Sequence, residues 1–190
     1  ISPEAIALCR TWGIPEERLV LGDAENMNSF PDNQFDLITA VEILEHVERP
    51  GKALQEIRRV LKPGGLLIVT VPADMRLWSK RDERLEHKTR YELGALRRLV
   101  AQTGFDILKS SYANAFYYWP YRLLIAWRQR RAVQAAPQVR TDTYDVNPII
   151  NGVFTLFLKI EAEIILWRGL PWGVSAVCVA SKTGKNEAAG

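Results

Sequence analysis

Apolar residues along this chain alternate between helical and strand spacing. From Pro3, the positions Ala5, Leu8, Cys9 and Trp12 recur at helical intervals, with Ser2 as a hydroxyl N-cap, Glu4 in the first turn and Gly13 to stop the helix. Residues 18–23, R-L-V-L-G-D, read as a short strand ending in an acid. Residues 35–41, F-D-L-I-T-A-V, form a second strand, apolar enough to be covered on both faces as in a parallel sheet. Pro50 opens a helix whose Leu54, Ile57 and Leu61 make one stripe, and K-P-G-G at 62–65 breaks it. A third buried strand follows at 66–71, closed by Pro72. A helix over 91–103 turns Leu93, Leu96, Leu99 and Val100 inward, Gly104 ends it, and 105–112 resumes as strand.

This alternation predicts an α/β fold, a doubly wound, Rossmann-like and mostly parallel sheet. The pattern changes over 113–170, where Phe116, Tyr117, Tyr118, Trp119, Tyr121 and Trp127 lie among Arg122, Arg128, Arg130 and Arg131. Further on, Val153, Phe157, Ile160, Ile164 and Trp167 share one helical stripe. We divide the chain into a core at 1–112, a helical insertion at 113–170, a last strand of the core sheet within 171–182 and a disordered tail at 183–190.

Composition narrows the class. With 190 residues and 47% hydrophobic content the chain can bury one ordinary core. A formal charge of +3, with acids and bases mixed through most of the chain, does not call for nucleic acid. Cys9 and Cys178 are far apart and read as reduced intracellular thiols, which points to a cytoplasmic protein. No segment reaches the roughly 18–20 clean apolar residues of a spanning helix.

Candidate chemistry gathers after the second strand. If the chain turns helical beyond Val41, Glu42, Glu45 and His46 fall on one face. The sequence has only two histidines, and the other, His87, sits in the loop after the next strand, which opens at the same sheet edge. From the residues alone the cluster could be a cap, a proton-transfer site or a metal site. The charges from Asp74 to Arg90 read as a solvated lid anchored by Trp78.

Three stretches together, G-D-A-E at 22–25, F-D-L-I followed by E-I-L-E-H, and L-K-P-G-G-L-L-I-V-T-V-P at 61–72, resemble class I S-adenosylmethionine-dependent methyltransferases. The resemblance covers 1–112 and the strand after Gly173. It implies S-adenosylmethionine as cofactor, with Asp23, Ala24 and Glu25 at the adenine side and Val41 and Glu42 beside the methionine part. The family's glycine-rich loop is absent in front of Asp23, so the resemblance implies an N-terminally truncated sheet that lacks its first strands.

E-x-x-E-H plus a later histidine is similar to the ubiquinone-pathway O-methyltransferases and the small-RNA 2′-O-methyltransferases, where such residues hold a divalent cation beside the acceptor hydroxyl. The matching positions are Glu42, Glu45, His46 and His87, whose ligand types suit Mn, Fe or Zn better than Mg. Without a metal, His87 is the leading general base and Tyr91 a lesser candidate that could orient it or bind substrate. The function implied is methyl transfer to a small-molecule acceptor, most readily a hydroxyl. The alternatives are a binding protein on the same scaffold and, more distantly, a dehydrogenase. Residues 116–131 could shape a pocket for a hydrophobic acceptor or make peripheral contact with a membrane surface, but their spacing favours a cap with its aromatics packed inward.

Overall fold

A computed structural model of the chain describes residues 3–130 and 147–183. Ser2, Arg131 and all of the expected tail at 183–190 except Thr183 lie outside the described residues, and Thr183 donates from Oγ1 to Asp106 Oδ2 at 2.8 Å.

Four strands form one sheet in the order β1-β2-β4-β3: β1 is Phe35–Val41, β2 Leu61–Pro72, β3 Phe105–Ala113 and β4 Ser175–Lys182. β1 pairs parallel with β2, while β4 runs antiparallel to both β2 and β3. Three of the four strands therefore point the same way, and their carboxyl ends meet at one edge. The last strand in sequence sits inside the sheet, with Ser175 opposite both Pro72 and Ala113.

The strands alternate as a pleated sheet requires. Leu67, Val69 and Val71 of β2, together with Ala176, Cys178 and Ala180 of β4, are fully buried on the face covered by α2 (Pro50–Val60) and α4 (Leu93–Gln102). α2 buries Ala53, Leu54, Ile57 and Val60, and α4 buries Leu96 and Val100. Each large side chain so removed from water contributes about 1.5–3 kcal/mol. The other face is only half covered: Leu37 is 50% and Val41 55% exposed. The expectation of a strand buried on both faces fails for β1, which is an edge strand with one neighbour among the described residues.

The breaker K-P-G-G does not end the strand region. Leu61 already pairs with Phe35, and residues 62–65 bulge out before Leu66 rejoins opposite Leu37. Gly64 takes φ +76 inside that bulge, a conformation that favours glycine.

Near the start, α1 (Pro3–Thr11) forms as its spacing predicts, yet it buries no residue and leaves Trp12 70% exposed. The strand expected at 18–23 is absent. Residues 16–18 make a 3-10 turn, Val20 and Leu21 stay exposed, and only Asp23 makes an isolated bridge, to Asn26. A strand needs a hydrogen-bonded partner as well as apolar side chains, and none stands beside this segment among the described residues.

The insertion supplies α5 (Ala115–Arg130) and α6 (Pro148–Trp167). Phe116 stacks on Phe157 at 4.4 Å and Tyr117 on Phe154 at 5.7 Å, so the two helices do pack on each other. The cap expected to turn its aromatics inward is nevertheless not what forms. α5 buries Tyr118 and Ile125, α6 buries nothing, and Trp119, Trp127 and Trp167 face outward. The return to β4 is tight, because a side chain at Gly173 would meet the Ala113 carbonyl oxygen at 2.1 Å. Among the described residues, no helix is long and apolar enough to cross a membrane.

Candidate active site

The site is built on backbone strain at the carboxyl edge. β1 is followed by Glu42 (φ 52), β2 by Ala73 and then Asp74 (φ 62), and β3 by Asn114 (φ 59), and Glu42, Asp74 and Asn114 are in the left-handed region. Glu86 (φ 57), next to His87, adopts it as well. Such a conformation costs a non-glycine residue about 1–2 kcal/mol. Three strand ends bearing that cost at one edge are held there by their surroundings, which is where functional sites tend to gather it.

After Glu42, whose N–H donates to the Thr70 carbonyl at 2.9 Å, the chain makes a tight turn instead of the expected helix. Leu44 is buried and plugs this turn into the core, and the His46 N–H donates to the Ile43 carbonyl at 3.0 Å. Glu45 is thereby driven fully inside.

The opposing wall is the 73–92 segment, and it is not a solvated lid. Asp74, Asp82 and Arg90 are buried, as is Leu77, whereas Trp78 is only half-buried. Leu77 is the apolar anchor. Asp82 organises the wall: its Oδ1 accepts from Arg90 Nε at 2.7 Å and lies 3.0 Å from His87 Nδ1, while Oδ2 accepts from the Ser79 N–H at 2.9 Å. Burial opposes its ionisation, but hydrogen bonds from Arg90 and His87 prevail and hold the carboxyl below its ordinary range. Because this carboxylate can only accept, Nδ1 of His87 donates a proton to it, which leaves Nε2 pointing the other way.

The two walls meet at the histidines. The His46 and His87 rings contact edge-to-face at 4.8 Å, and His46 Nε2 lies 3.9 Å from Glu45 Oε1. Ligand atoms of Glu45, His46 and His87 all lie within 4.8 Å of one another. Neither Glu45 carboxylate oxygen has a hydrogen-bond partner among the described residues. Burial, with the nearby Glu42 adding to it, pushes the Glu45 carboxyl up to about 7. Burial also lowers the pKa of His46, which favours the neutral imidazole. Glu42 stands outside the triangle of ligand atoms, on the rim of the same cleft.

Tyr91 is placed differently from the histidines. It is buried, its hydroxyl donates to the Leu44 carbonyl at 3.0 Å, and burial pushes its pKa up to about 12. In this position it ties the Glu45 turn to the opposing wall. Val41 lies half exposed at the strand end beside Glu42. On the Asp23 side, Asp23 is exposed and its Oδ1 accepts from the Glu25 N–H at 2.8 Å in a local turn. Ala24 packs against the core. Both oxygens of Glu25 are held by Arg49, one through the backbone N–H at 2.9 Å and one through Nε at 2.8 Å.

Between these joined walls and α5 lies a cleft of about 780 Å³, with Glu42, His46 and His87 on one side and Tyr117, Pro120, Tyr121 and Leu124 of α5 on the other. Sequence reasoning missed Asp82 and Arg90, although S-K-R-D at 79–82 is a capping box that marks Asp82 as structured. It also missed the Asp74 node, which accepts from Tyr118 Oη at 2.6 Å and from Arg76 Nε at 2.8 Å, and so fixes α5 to the strand end.

Residues 1–69 match the family model described as a methyltransferase domain. The thiol S-methyltransferase TMT1B of Rattus norvegicus is 33% identical over 109 residues, 54% of this chain and 43% of that protein. The 2-methyl-6-phytyl-1,4-hydroquinone methyltransferase of Synechocystis sp. is 38% identical over 104 residues, 54% of this chain and 30% of that protein. The chain thus spans less than half the length of these relatives. Among solved structures, a SAM-dependent methyltransferase from Archaeoglobus fulgidus superposes with a TM-score of 0.54 at 18% identity, covering 96% of this chain and 73% of that one. The Haloferax volcanii complex of a methyltransferase with its Trm112 activator gives 0.59 at 16% identity, covering 96% and 69%. The structural likeness speaks for the fold alone, and the sequence matches, over residues 1–69 for the family model and about half of the chain for the relatives, make this chain similar to methyltransferases.

Proposed function

We propose that the protein transfers a methyl group from S-adenosylmethionine to a hydroxyl of a small-molecule acceptor in the cleft, with a divalent cation held by Glu45, His46 and His87. One observation carries this reading: a fully buried carboxylate with no hydrogen-bond partner among the described residues, facing two imidazoles. An orphaned buried carboxylate is costly, and a cation is the partner that this donor set fits. Asp82 serves as the outer partner that orients His87, as metal-bound histidines require.

The chain offers one flank for the cofactor, in exposed Asp23 and half-exposed Val41 beside the left-handed Glu42. S-adenosylmethionine brings a methyl group already activated on a sulfonium, which leaves alignment, exclusion of water and one proton to the protein. A bound cation supplies Lewis acidity toward the acceptor oxygen. Tyr117, Tyr121 and Leu124 give an aromatic acceptor an apolar wall, and Glu42 and His46 form the polar rim opposite. A metal-free variant of the reading has His87, oriented by Asp82, accept the hydroxyl proton on Nε2. The related proteins named for thiol and hydroquinone substrates bring sulfur and ring carbon in as competing acceptor atoms.

The test pairs calorimetric titration of Mn(II) and Zn(II) with mass spectrometry of products from a catechol, an aryl thiol and a hydroquinone. Glu45→Gln is expected to weaken metal binding roughly ten-fold or more. Catechol O-methylation should vanish with chelator and return with metal. Metal binding indifferent to Glu45→Gln would sink the cation, and methylation confined to sulfur or ring carbon would sink the hydroxyl.

A further inference from the structure

The two sides of the cleft come from separate stretches of chain, and Asp74 is bonded to both. It is buried and follows the end of β2 in left-handed backbone. On the His87 side, its N–H donates to the Tyr91 carbonyl at 3.3 Å, and Arg90, which holds Asp82, donates from Nη1 to the Ala73 carbonyl at 3.1 Å. On the α5 side, its Oδ2 accepts from Tyr118 Oη at 2.6 Å. Arg122 Nη1 and Arg76 Nη2 donate to the same phenol oxygen at 2.9 and 3.2 Å, so three groups fix where it lies.

Tyr118 is buried and stands outside the cleft lining. It shares a stripe of α5 with Arg122 and Ile125, at i, i+4 and i+7, whereas Tyr117, Tyr121 and Leu124, each one residue earlier, line the cleft. Neighbouring positions on a helix lie about 100° apart around its axis. The two stripes therefore turn together, and α5 cannot rotate one without moving the other. The start of α5 is tied elsewhere, because Glu161 Oε2 of α6 accepts from the Ala115 N–H at 2.9 Å. With that end as a pivot, the bond from Tyr118 to Asp74 decides how far Tyr121 and Leu124 stand from His87.

We propose that Tyr118 and Asp74 are positioning residues that set the width of the cleft and thereby select acceptors by size. The proposal rests on the cleft being the acceptor site, as the methyl-transfer reading has it. The test is calorimetric titration of catechol and of 2,3-dihydroxynaphthalene into the purified chain with Mn(II), with circular dichroism confirming the fold of each variant. Tyr118→Phe keeps the ring and removes only the hydroxyl. It should weaken catechol binding roughly ten-fold, the scale of a one-methylene misfit in a pocket, and weaken the larger diol several-fold less, because the released helix stands further off. Asp74→Asn suits left-handed backbone and keeps an oxygen for Tyr118, so its ratio of the two affinities should fall between those of the parent and Tyr118→Phe. A bond that served stability alone would weaken both diols alike, and an unchanged ratio in Tyr118→Phe overturns the proposal. A parent that binds neither diol removes the hydroxyl acceptor, and hydrogen exchange then decides the positioning role by itself. Faster exchange of α5 in Tyr118→Phe, with α4 unchanged, supports it, and equal exchange of α5 overturns it.

Discussion

The wall of the cleft and the helical pair beside it invert one another. At 73–92 the chain buries charge: Asp82 and Arg90 lie inside, paired at 2.7 Å, with His87 and Ser79 on the same carboxylate. At α5 and α6, the chain exposes Leu123, Ile149 and Trp167. Burial therefore does not follow side-chain polarity in either place. It follows whether the fold encloses a group: the buried charges are held by partners inside it, whereas Leu123 and Ile149 stay 68% and 77% exposed.

That contrast can be broken from its polar side. Asp82→Ala leaves the Arg90 guanidinium inside with one carbonyl, that of Ala73, in place of its counter-charge. We expect a loss of about 3–5 kcal/mol in urea unfolding, the usual result of orphaning a buried charge. An unfolding midpoint equal to that of the parent would mean that water reaches the site. Tyr91→Phe is a gentler cut, since it frees only the Leu44 carbonyl and should cost about 1 kcal/mol in the same measurement. A loss several times larger would show the whole Glu45 turn depending on that tether. From the apolar side, Ile149→Ser should change thermal stability by no more than about 0.5 kcal/mol, as surface substitutions do. A clear destabilisation there would reveal that the stripe packs against something within the chain.

Much of the fold was legible because periodicity reports burial directly. The stripes at Leu54, Ile57, Leu96 and Val100 are buried as their spacing requires. The Glu45, His46 and His87 grouping was also legible, although a turn and not a helix brings it together. Other features were hidden for physical reasons. R-L-V-L-G-D at 18–23 has strand composition, but strand formation depends on a neighbour that local sequence does not encode. The charges from Asp74 to Arg90 look solvated in sequence because residues of that kind are rarely buried, and only their mutual pairing explains why these are. The helical stripes of α5 and α6 were visible, but a stripe says that a face is apolar and not which way it turns.

The interior position of β4 has a consequence for how the protein is made. β2 and β3 share no hydrogen bonds with each other, and each pairs with β4. Synthesis from the amino terminus therefore releases both strands, and the long helices after them, before the ribosome delivers the residues that zip the sheet shut. Until then two apolar edges wait open in the nascent chain, an interval in which aggregation competes with folding and a chaperone has most to offer.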